Sequence, residues 1–307
     1  MGVDAQRLRV LVEVAHAGSL TAAAQRLAFT VPAVSQQLSK LEREVGCALV
    51  ERGRAGVTLT DTGQVLLAHG ERVLGELRDA EAAVRARVGA QPPLVRLGAF
   101  PSAGKILVPA ALAAFGQAHP HVRLALSDVE PPGGYAYVTS GDIDLLITHR
   151  YPGVALPGLQ RSRLRREKLL VDPLLLVVPA DHPAAAGPEV GLAELADQEW
   201  ICGAPGVPNR VALDSSAGAL GVELKVAYET RDYEVALALI GAGIGIGLIP
   251  RTIVGAAPAG GWVARSLADV ALARDIYLVH RARAQEPVPA LVAMLRRCAQ
   301  QALAAVL

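Results

Sequence analysis

Between Asp4 and Gly46 the chain breaks into three helical stretches joined by turns of only a few residues, and this segmentation constrains its fold more than any other feature. The spacing predicts a first helix over about residues 4–17. Asp4 suits the N-cap, and Leu8, Leu11, Val12 and Ala15 recur at i, i+3, i+4 and i+7. Gly18 ends that helix, because glycine takes the left-handed conformation past a helix end without strain. Ser19 or Thr21 caps a short second helix bearing Ala22, Ala23, Ala24 and Leu27. Ala28 and Phe29 make a tight connection. Thr30 caps a third helix, Val31–Val45, whose first turn tolerates Pro32 because its N–H groups lack partners there anyway. Two short helices, a minimal turn and a longer partner make a helix-turn-helix.

Winding the third helix at 3.6 residues per turn puts Val34, Leu38, Leu41 and Val45 on one side, the core side. Pro32, Ser35, Gln36, Ser39 and Arg43 face the other way. That outer face carries no acid; it offers hydroxyls and an amide, the groups that read base edges in a major groove. An ordinary solvated face would show Glu/Lys pairs instead. Leu49 with Val50, and then Val57, Thr58 and Leu59, read as two strands. Arg52, Gly53, Arg54 and Gly56 lie between them as a basic hairpin tip, a wing whose arginines reach phosphate or the minor groove. Residues 1–60 hold seven basic against five acidic side chains, a small excess, and the whole chain is at +1. Charge total alone therefore names no partner.

Thr60 or Asp61 caps a long helix reaching about Val88. Leu66, Val73, Leu77, Ala80 and Val84 form a narrow apolar stripe on a charged helix, which suggests self-pairing rather than packing on its own domain. Residues 89–93, rich in Gly and Pro, form a linker. From Leu94 onward strands and helices alternate. Strands are expected at 95–100, 122–129, 145–148, 174–179, 200–203, 225–229, 247–249 and 276–280. Helices are expected at 105–119, 135–140, 210–220, 233–242 and 288–305. This is a parallel α/β layout in two lobes, a clamshell. Ligands in such sheets bind beyond the carboxyl ends of the strands. The residues there are Ser102 and Ala103 after Pro101, Thr148 and His149, Cys202 and Gly203, and Thr230 before Arg231. Ser102 would cap the following helix and offer hydroxyl and N–H to a carboxylate; Thr148 would donate from the opposite wall. Each hydroxyl has the plainer alternative of a cap or a strand-end bond.

The 307 residues suffice for two or more domains, and with 52% hydrophobic and 19% charged residues the chain reads as globular. Three widely spaced cysteines, Cys47, Cys202 and Cys298, suggest neither disulfides nor a zinc site. No metal or cofactor is expected. The run 241–247, GAGIGIG, fails the G-x-G-x-x-G spacing and lies between a helix and a strand, the wrong order for a nucleotide loop. No G-x-S-x-G or H-E-x-x-H occurs, so catalysis is not expected. The start lacks a signal-peptide pattern, and the longest uncharged run is too short and Gly-rich to span a bilayer, so a cytoplasmic protein is expected. A solute-binding receptor and an enzyme with a helix-turn-helix cap are the competing classes.

The stretch GSLTAAAQRLAFTVPAVSQQLSKLEREVGCALVERGRAGVTLTDTG resembles the N-terminal domain of LysR-type transcriptional regulators nearly without gaps. The agreement is at Ser19, Ala23, Ala24, Leu27, Ala33, Val34, Ser35, Gln37, Leu41, Glu42, Gly46, Leu49, Arg52, Leu59, Thr60 and Gly63. VRLGAFPSAGKILVPAALAAF, GDIDLLIT, VVPADHPAA, WICGAP and LIGAGIGIGLIPR resemble the family's effector domain more loosely. The resemblance implies a winged helix-turn-helix (1–60), a dimerisation helix and hinge (61–93), and a periplasmic-binding-protein-like effector domain (94–307). Lobe one would be 94–170 with 275–307, and lobe two 171–274. It implies binding of double-stranded promoter DNA, a small-molecule effector between the lobes, and a homodimer or homotetramer, with RNA polymerase a further candidate partner. Ser19, Thr21, Thr30, Val31, Pro32, Ser35, Gln36, Ser39, Arg43, Arg52 and Arg54 are the expected DNA contacts. Many members have Gln where this chain has Val31; a valine makes only apolar contact, as to a thymine methyl.

Overall fold

The computed structural model describes residues 2–53, 56–88, 92–131, 133–154, 164–284 and 286–304. Three helices open the chain: α1 (Ala5–Ala17), α2 (Leu20–Leu27) and α3 (Val31–Val45). Each begins at a side-chain cap. Asp4 accepts from the N–H of Gln6 and Arg7, Ser19 (rather than Thr21) from Ala22, and Thr30 from Ala33. Gly18 and Gly46 close α1 and α3 in the left-handed conformation. Between α2 and α3, Ala28 takes that same conformation, at φ 54°, although it has a Cβ. The tight turn it makes, with Phe29 N–H bonded to Ala24 carbonyl at 2.9 Å, fixes how α3 leaves α2. Val10, Leu11, Val14, Ala23, Ala24, Val34, Leu38 and Leu41 join Leu49 and Val50 in one core.

The hairpin is tighter than its sequence suggests. β1 (Val50–Gly53) and β2 (Gly56–Leu59) pair up to Gly53 opposite Gly56. Arg52 therefore stands in β1 opposite Val57, not at the tip, because the ladder continues through it. Arg54, the other expected tip arginine, lies outside the described residues. The hairpin is tied to the helices at two points: Val57 N–H donates to Gly18 carbonyl at 3.0 Å, and Gly56 packs on that same carbonyl, where a Cβ would come within 2.6 Å.

α4 (Asp61–Val88) starts at Thr60, whose hydroxyl accepts from Gly63 N–H at 3.0 Å. Its first half does pack on its own domain: Gly70 lies against Leu8 and Val12, Leu74 is buried, and Glu71 bonds His16 at 2.8 Å. The expected stripe thus divides. Leu66 joins the N-terminal core, whereas Val73, Leu77 and Val84 are 44–63% exposed in the single chain.

The rest is α/β: β3 (Leu94–Ala99), α5 (Pro101–Ile106), α6 (Val108–Ala118), β4 (Arg123–Asp128), α7 (Gly134–Ser140), β5 (Leu145–Arg150), β6 (Leu164–Pro179), β7 (Glu189–Val190), β8 (Trp200–Cys202), α8 (Pro208–Ala219), β9 (Val226–Glu229), α9 (Tyr233–Gly241), β10 (Gly247–Pro250), α10 (Arg251–Ala256), β11 (Trp262–Leu267), β12 (Ala273–Arg281) and α11 (Val288–Ala304). One sheet runs in the order β4-β3-β5-β12-β6-β11-β7, with β10 also on β6. β3 is parallel to β4 and β5, but β12 is antiparallel to both β5 and β6, and β10 and β11 are antiparallel to β6. The sheet is therefore mixed, which corrects the all-parallel expectation: β12 returns from the second lobe against the direction of its neighbours. The 16 residues of β6 run through both lobes. Lobe one gathers Val95, Leu97, Phe115, Leu145, Ile147, Ile276, Leu278 and Leu291 around its half of the sheet; lobe two gathers Leu174, Leu176, Trp200, Leu213, Ile246 and Leu248. The expected helix over 105–119 is two helices, α5 and α6, meeting at Leu107. Pro109 explains the break, since its ring conflicts with the carbonyl four residues back.

Candidate DNA-binding face and interlobe site

α3 presents the outer face its periodicity predicts. Val34, Leu38 and Leu41 are buried, while Val31, Pro32, Gln36 and Arg43 are exposed and Ser35 and Ser39 half-exposed. Glu42, on the inner side, accepts from the N–H groups of Leu49 at 2.9 Å and Val50 at 3.4 Å. It thereby fixes β1 to α3, so that hairpin and helix form one rigid surface. Arg43 lies along its own helix, its Nε donating to Ser39 carbonyl at 3.3 Å. Ser19 and Thr30 use their hydroxyls as helix caps, while Thr21 is exposed on α2. Arg7 pairs with Glu44, which removes one cation from this surface.

Arg26 at the end of α2 turns away from α3 and toward α7. It donates to Tyr137 Oη at 2.6 Å, and its guanidinium lies 5.6 Å from that ring. His16 meets the same ring edge-on at 5.1 Å. α7 also bears on α4: Gly75 leaves room for Thr139 carbonyl, where a Cβ would lie 2.6 Å away, and Arg78 donates to Ser140 carbonyl and pairs with Asp142. One short helix thus touches both the N-terminal head and the long helix.

The centre of the interlobe region is Arg274, which is 2% exposed. It stands on β12 directly opposite Asp172 on β6, itself fully buried. Nε and Nη2 of Arg274 donate to one Asp172 oxygen at 2.9 and 2.8 Å, and Nη1 donates to Ser102 Oγ at 3.1 Å. Asp172 also accepts from Thr252 N–H at 3.0 Å and Thr252 Oγ at 2.8 Å, at the start of α10. A hydrogen-bonded chain therefore runs from α5 of lobe one through both crossing strands to α10 of lobe two. Phe100 and Tyr233 flank the guanidinium at 5.2 and 5.9 Å. Tyr233 and Tyr151 share a hydroxyl hydrogen bond of 3.0 Å, and Lys105 pairs with Glu234 across the same junction. Burial, reinforced by the Arg274 charge, lowers the His149 pKa to about 3, so this imidazole is neutral at physiological pH. Partial desolvation of Glu130 raises its carboxyl, outweighing the lowering effects of Arg231 and Arg274.

The structure gathers only some of the expected effector residues. Ser102 and His149 meet around Arg274; His149 lies edge-on to Phe100 at 4.6 Å. Contrary to expectation, Ser102 does not cap α5: it sits inside the first turn, the cap position is Phe100, and its hydroxyl accepts from Arg274 instead. The Ala103 methyl is buried in the lobe-one core, so it offers no surface to a cleft. Thr148 and His149 are within β5, opposite Tyr277 and Ile276, not in a loop beyond it. Alternation along the strand puts Thr148 on the opposite face of the sheet from His149. Cys202, Gly203 and Thr230 form a second group in lobe two, with Thr230 N–H on Cys202 carbonyl at 2.9 Å. Arg210 approaches Cys202 Sγ at 3.6 Å, and burial raises that thiol pKa. Arg274, Asp172, Thr252, Tyr151, Tyr233 and Glu130 escaped sequence reasoning. The cue for Asp172 was there, a single charge in the apolar run 169–179; Arg274, next to Asp275, carried no such cue.

Among the described residues, no group of three or more His, Cys, Asp or Glu side chains is arranged to hold a metal ion. Among them, too, no helix is long and apolar enough to cross a membrane. The family model described as "Bacterial regulatory helix-turn-helix protein, lysR family" matches residues 5–64, and that described as "LysR substrate binding domain" matches residues 89–302. The small neutral protease regulatory protein of Streptomyces coelicolor is 34% identical over 66% of this chain and 60% of its own length. The HTH-type transcriptional regulator CfxR of Cupriavidus necator is 31% identical over 68% of this chain and 63% of its own. The chain thus spans a little under two thirds of the length of these relatives. A full-length OxyR variant from Pseudomonas aeruginosa shares the fold, with a TM-score of 0.64 at 20% identity over 97% of this chain and 98% of that one.

Proposed function

The chain belongs to the LysR family of bacterial regulators, and from that membership we propose that it binds promoter DNA and regulates transcription in response to a small effector held between its two lobes. The observation that carries this reading is the outer face of α3: exposed Val31, Pro32 and Gln36, with Ser35, Ser39 and Arg43 beside them and no acid among them. We assign base reading to Gln36, Ser35 and Val31, the last by apolar contact. Backbone contacts go to Ser19, Thr21, Thr30, Ser39 and Arg43, with Arg52 and Arg54 from the wing. Residues 1–60 form the DNA-binding domain, 61–93 the dimerisation helix and hinge, and 94–307 the effector domain. Within it, 94–170 and 275–307 form lobe one and 171–274 lobe two. The role is regulatory, not catalytic, and acts in the cytoplasm with RNA polymerase as the further partner.

The effector site combines Ser102, His149, Cys202, Gly203 and Thr230 with Arg274 and Glu130. Effector binding there shifts the balance between lobe arrangements and so the angle at which the paired heads meet DNA. Exposed Val73, Leu77 and Val84 pair two α4 helices in the dimer, and dimers associate further into tetramers. The direct test is footprinting and gel shift on the DNA upstream of its own gene. The expected result is a protected site whose affinity falls steeply with salt, as release of counterions from phosphates requires. Absence of protection at low salt overturns the reading.

A further inference from the structure

The face of lobe one away from Arg274 holds buried polar groups that find no hydrogen-bond partner among the described residues. Along β5, Leu146, Thr148 and Arg150 point to this side, and on β12 Asp275, Tyr277 and Val279 do so. α7 covers it with Tyr135, and Arg166 on β6 stacks over the Tyr277 ring at 5.3 Å. Thr148 is 1% and Tyr135 5% exposed, yet among the described residues neither hydroxyl has a partner in hydrogen-bonding geometry, and the same holds for Arg150 Nε and for Arg166 Nη1, although the Arg166 guanidinium lies close enough to act on the Tyr135 phenol. Buried groups of this kind are ordinarily satisfied, and leaving one unpaired is costly. Four at one place, two of them guanidinium donors, describe a site built for a ligand rich in acceptors.

Charge narrows its class. Asp275 on this face is already engaged: it accepts from Arg150 at 2.9 Å and from Tyr277 Oη at 3.1 Å, and it pairs with Lys168 at 2.6 Å. Arg150, Arg166 and Lys168 therefore face a single carboxylate, and positive charge is in excess. Burial raises the Tyr135 phenol above its ordinary value despite the nearby Arg166, so it remains a donor. We propose that Tyr135, Thr148, Arg150 and Arg166 form a second ligand site, separate from the Ser102–Arg274 cluster, that takes a small carboxylate. Its two oxygens accept from the guanidinium N–H groups and the two hydroxyls, a charge-assisted arrangement.

The position of α7 gives this site a regulatory role, which rests on the DNA-binding reading above. Two residues beyond Tyr135, Tyr137 holds Arg26 of the head, and Thr139 and Ser140 hold Gly75 and Arg78 of α4. A carboxylate bonded to Tyr135 fixes α7, and with it the seat of the head and the long helix.

Calorimetric titration of the full chain with sodium acetate and sodium succinate tests this, with sodium phosphate and sodium chloride as separate arms. The expected result is saturable binding of a carboxylate, weakened at least tenfold in both Tyr135→Phe and Thr148→Val. Both variants lose only a hydroxyl, and the ligand-free Thr148→Val protein should melt no lower than the parent. No saturable binding of either carboxylate, unchanged affinity in both variants, binding of phosphate alone, or weakening by Ser102→Ala alone overturns the site. Fluorescence anisotropy with the DNA upstream of its own gene reads the coupling. Acetate or succinate should change DNA affinity at least threefold in the parent and not in Tyr135→Phe, and no change in the parent overturns the coupling. If the chain binds no DNA with or without a carboxylate, the regulator reading fails, while the calorimetry still decides the site by itself.

Discussion

Arg274 and Asp172 form an ion pair almost wholly withdrawn from water, and the value of such a pair depends on how it is perturbed. Desolvation offsets much of the mutual attraction, so replacing both partners together costs little, whereas removing one strands a buried charge. Asp172→Ala should destabilise by about 3–5 kcal/mol, and Arg274→Met by a similar amount. The double variant should recover more than half of that loss, because no charge is left unpaired; a urea-denaturation double-mutant cycle measures it. His149 titrates in the opposite sense to a paired histidine. Its folded pKa of about 3 lies below the unfolded value, so between pH 6.5 and about 3 the unfolded chain binds the extra proton. Its contribution to stability is therefore complete above pH 6.5 and is lost progressively as pH falls. His149→Leu should flatten the decline of melting temperature between pH 7 and pH 4 relative to the parent.

At the level of elements, α3 separates two kinds of contact that different measurements resolve. Gln36→Ala should cost about 1–3 kcal/mol on the specific site and leave the salt slope unchanged, as loss of a bidentate base contact does. Arg43→Ala should weaken all sequences alike and reduce the slope of log K against log salt by about 1. Both are read by anisotropy titration across salt concentrations. The helices α1, α2 and α3 were legible in sequence because cap, apolar period and stop coincide in each: Asp4 and Gly18, Ser19 and Ala28, Thr30 and Gly46. β5 and α9 were legible from their apolar runs. The first half of β6 was not, because Arg165, Arg166, Glu167 and Lys168 hide a strand under charge that alternation alone does not reveal. The interlobe chain was hidden for a different reason. Arg274 and Asp172 are 102 positions apart, and only the antiparallel return of β12 makes them neighbours. Thr148 was expected at a strand end as an effector donor, but which face it takes depends on register, which sequence leaves open.

For the molecule as a whole, the exposed apolar residues of α4 are its clearest unfinished surface. Val73, Leu77 and Val84 recur four and seven residues apart, the spacing of a helix seam. If α4 pairs as proposed, Leu77→Asp should convert that dimer to monomer in sedimentation velocity and weaken operator binding at least tenfold, since one head alone reads half a site. The strand order has a consequence for how the chain is made. β12 is an inner strand of lobe one, between β5 and β6, yet nearly the whole of lobe two precedes it in the chain. During synthesis the second lobe can assemble on β6 while the first still waits, with the flank of β5 unpaired. Lobe one is begun first and completed last. A nascent chain halted before Ala273 carries an open strand edge of the kind that invites association with other chains or capture by a chaperone.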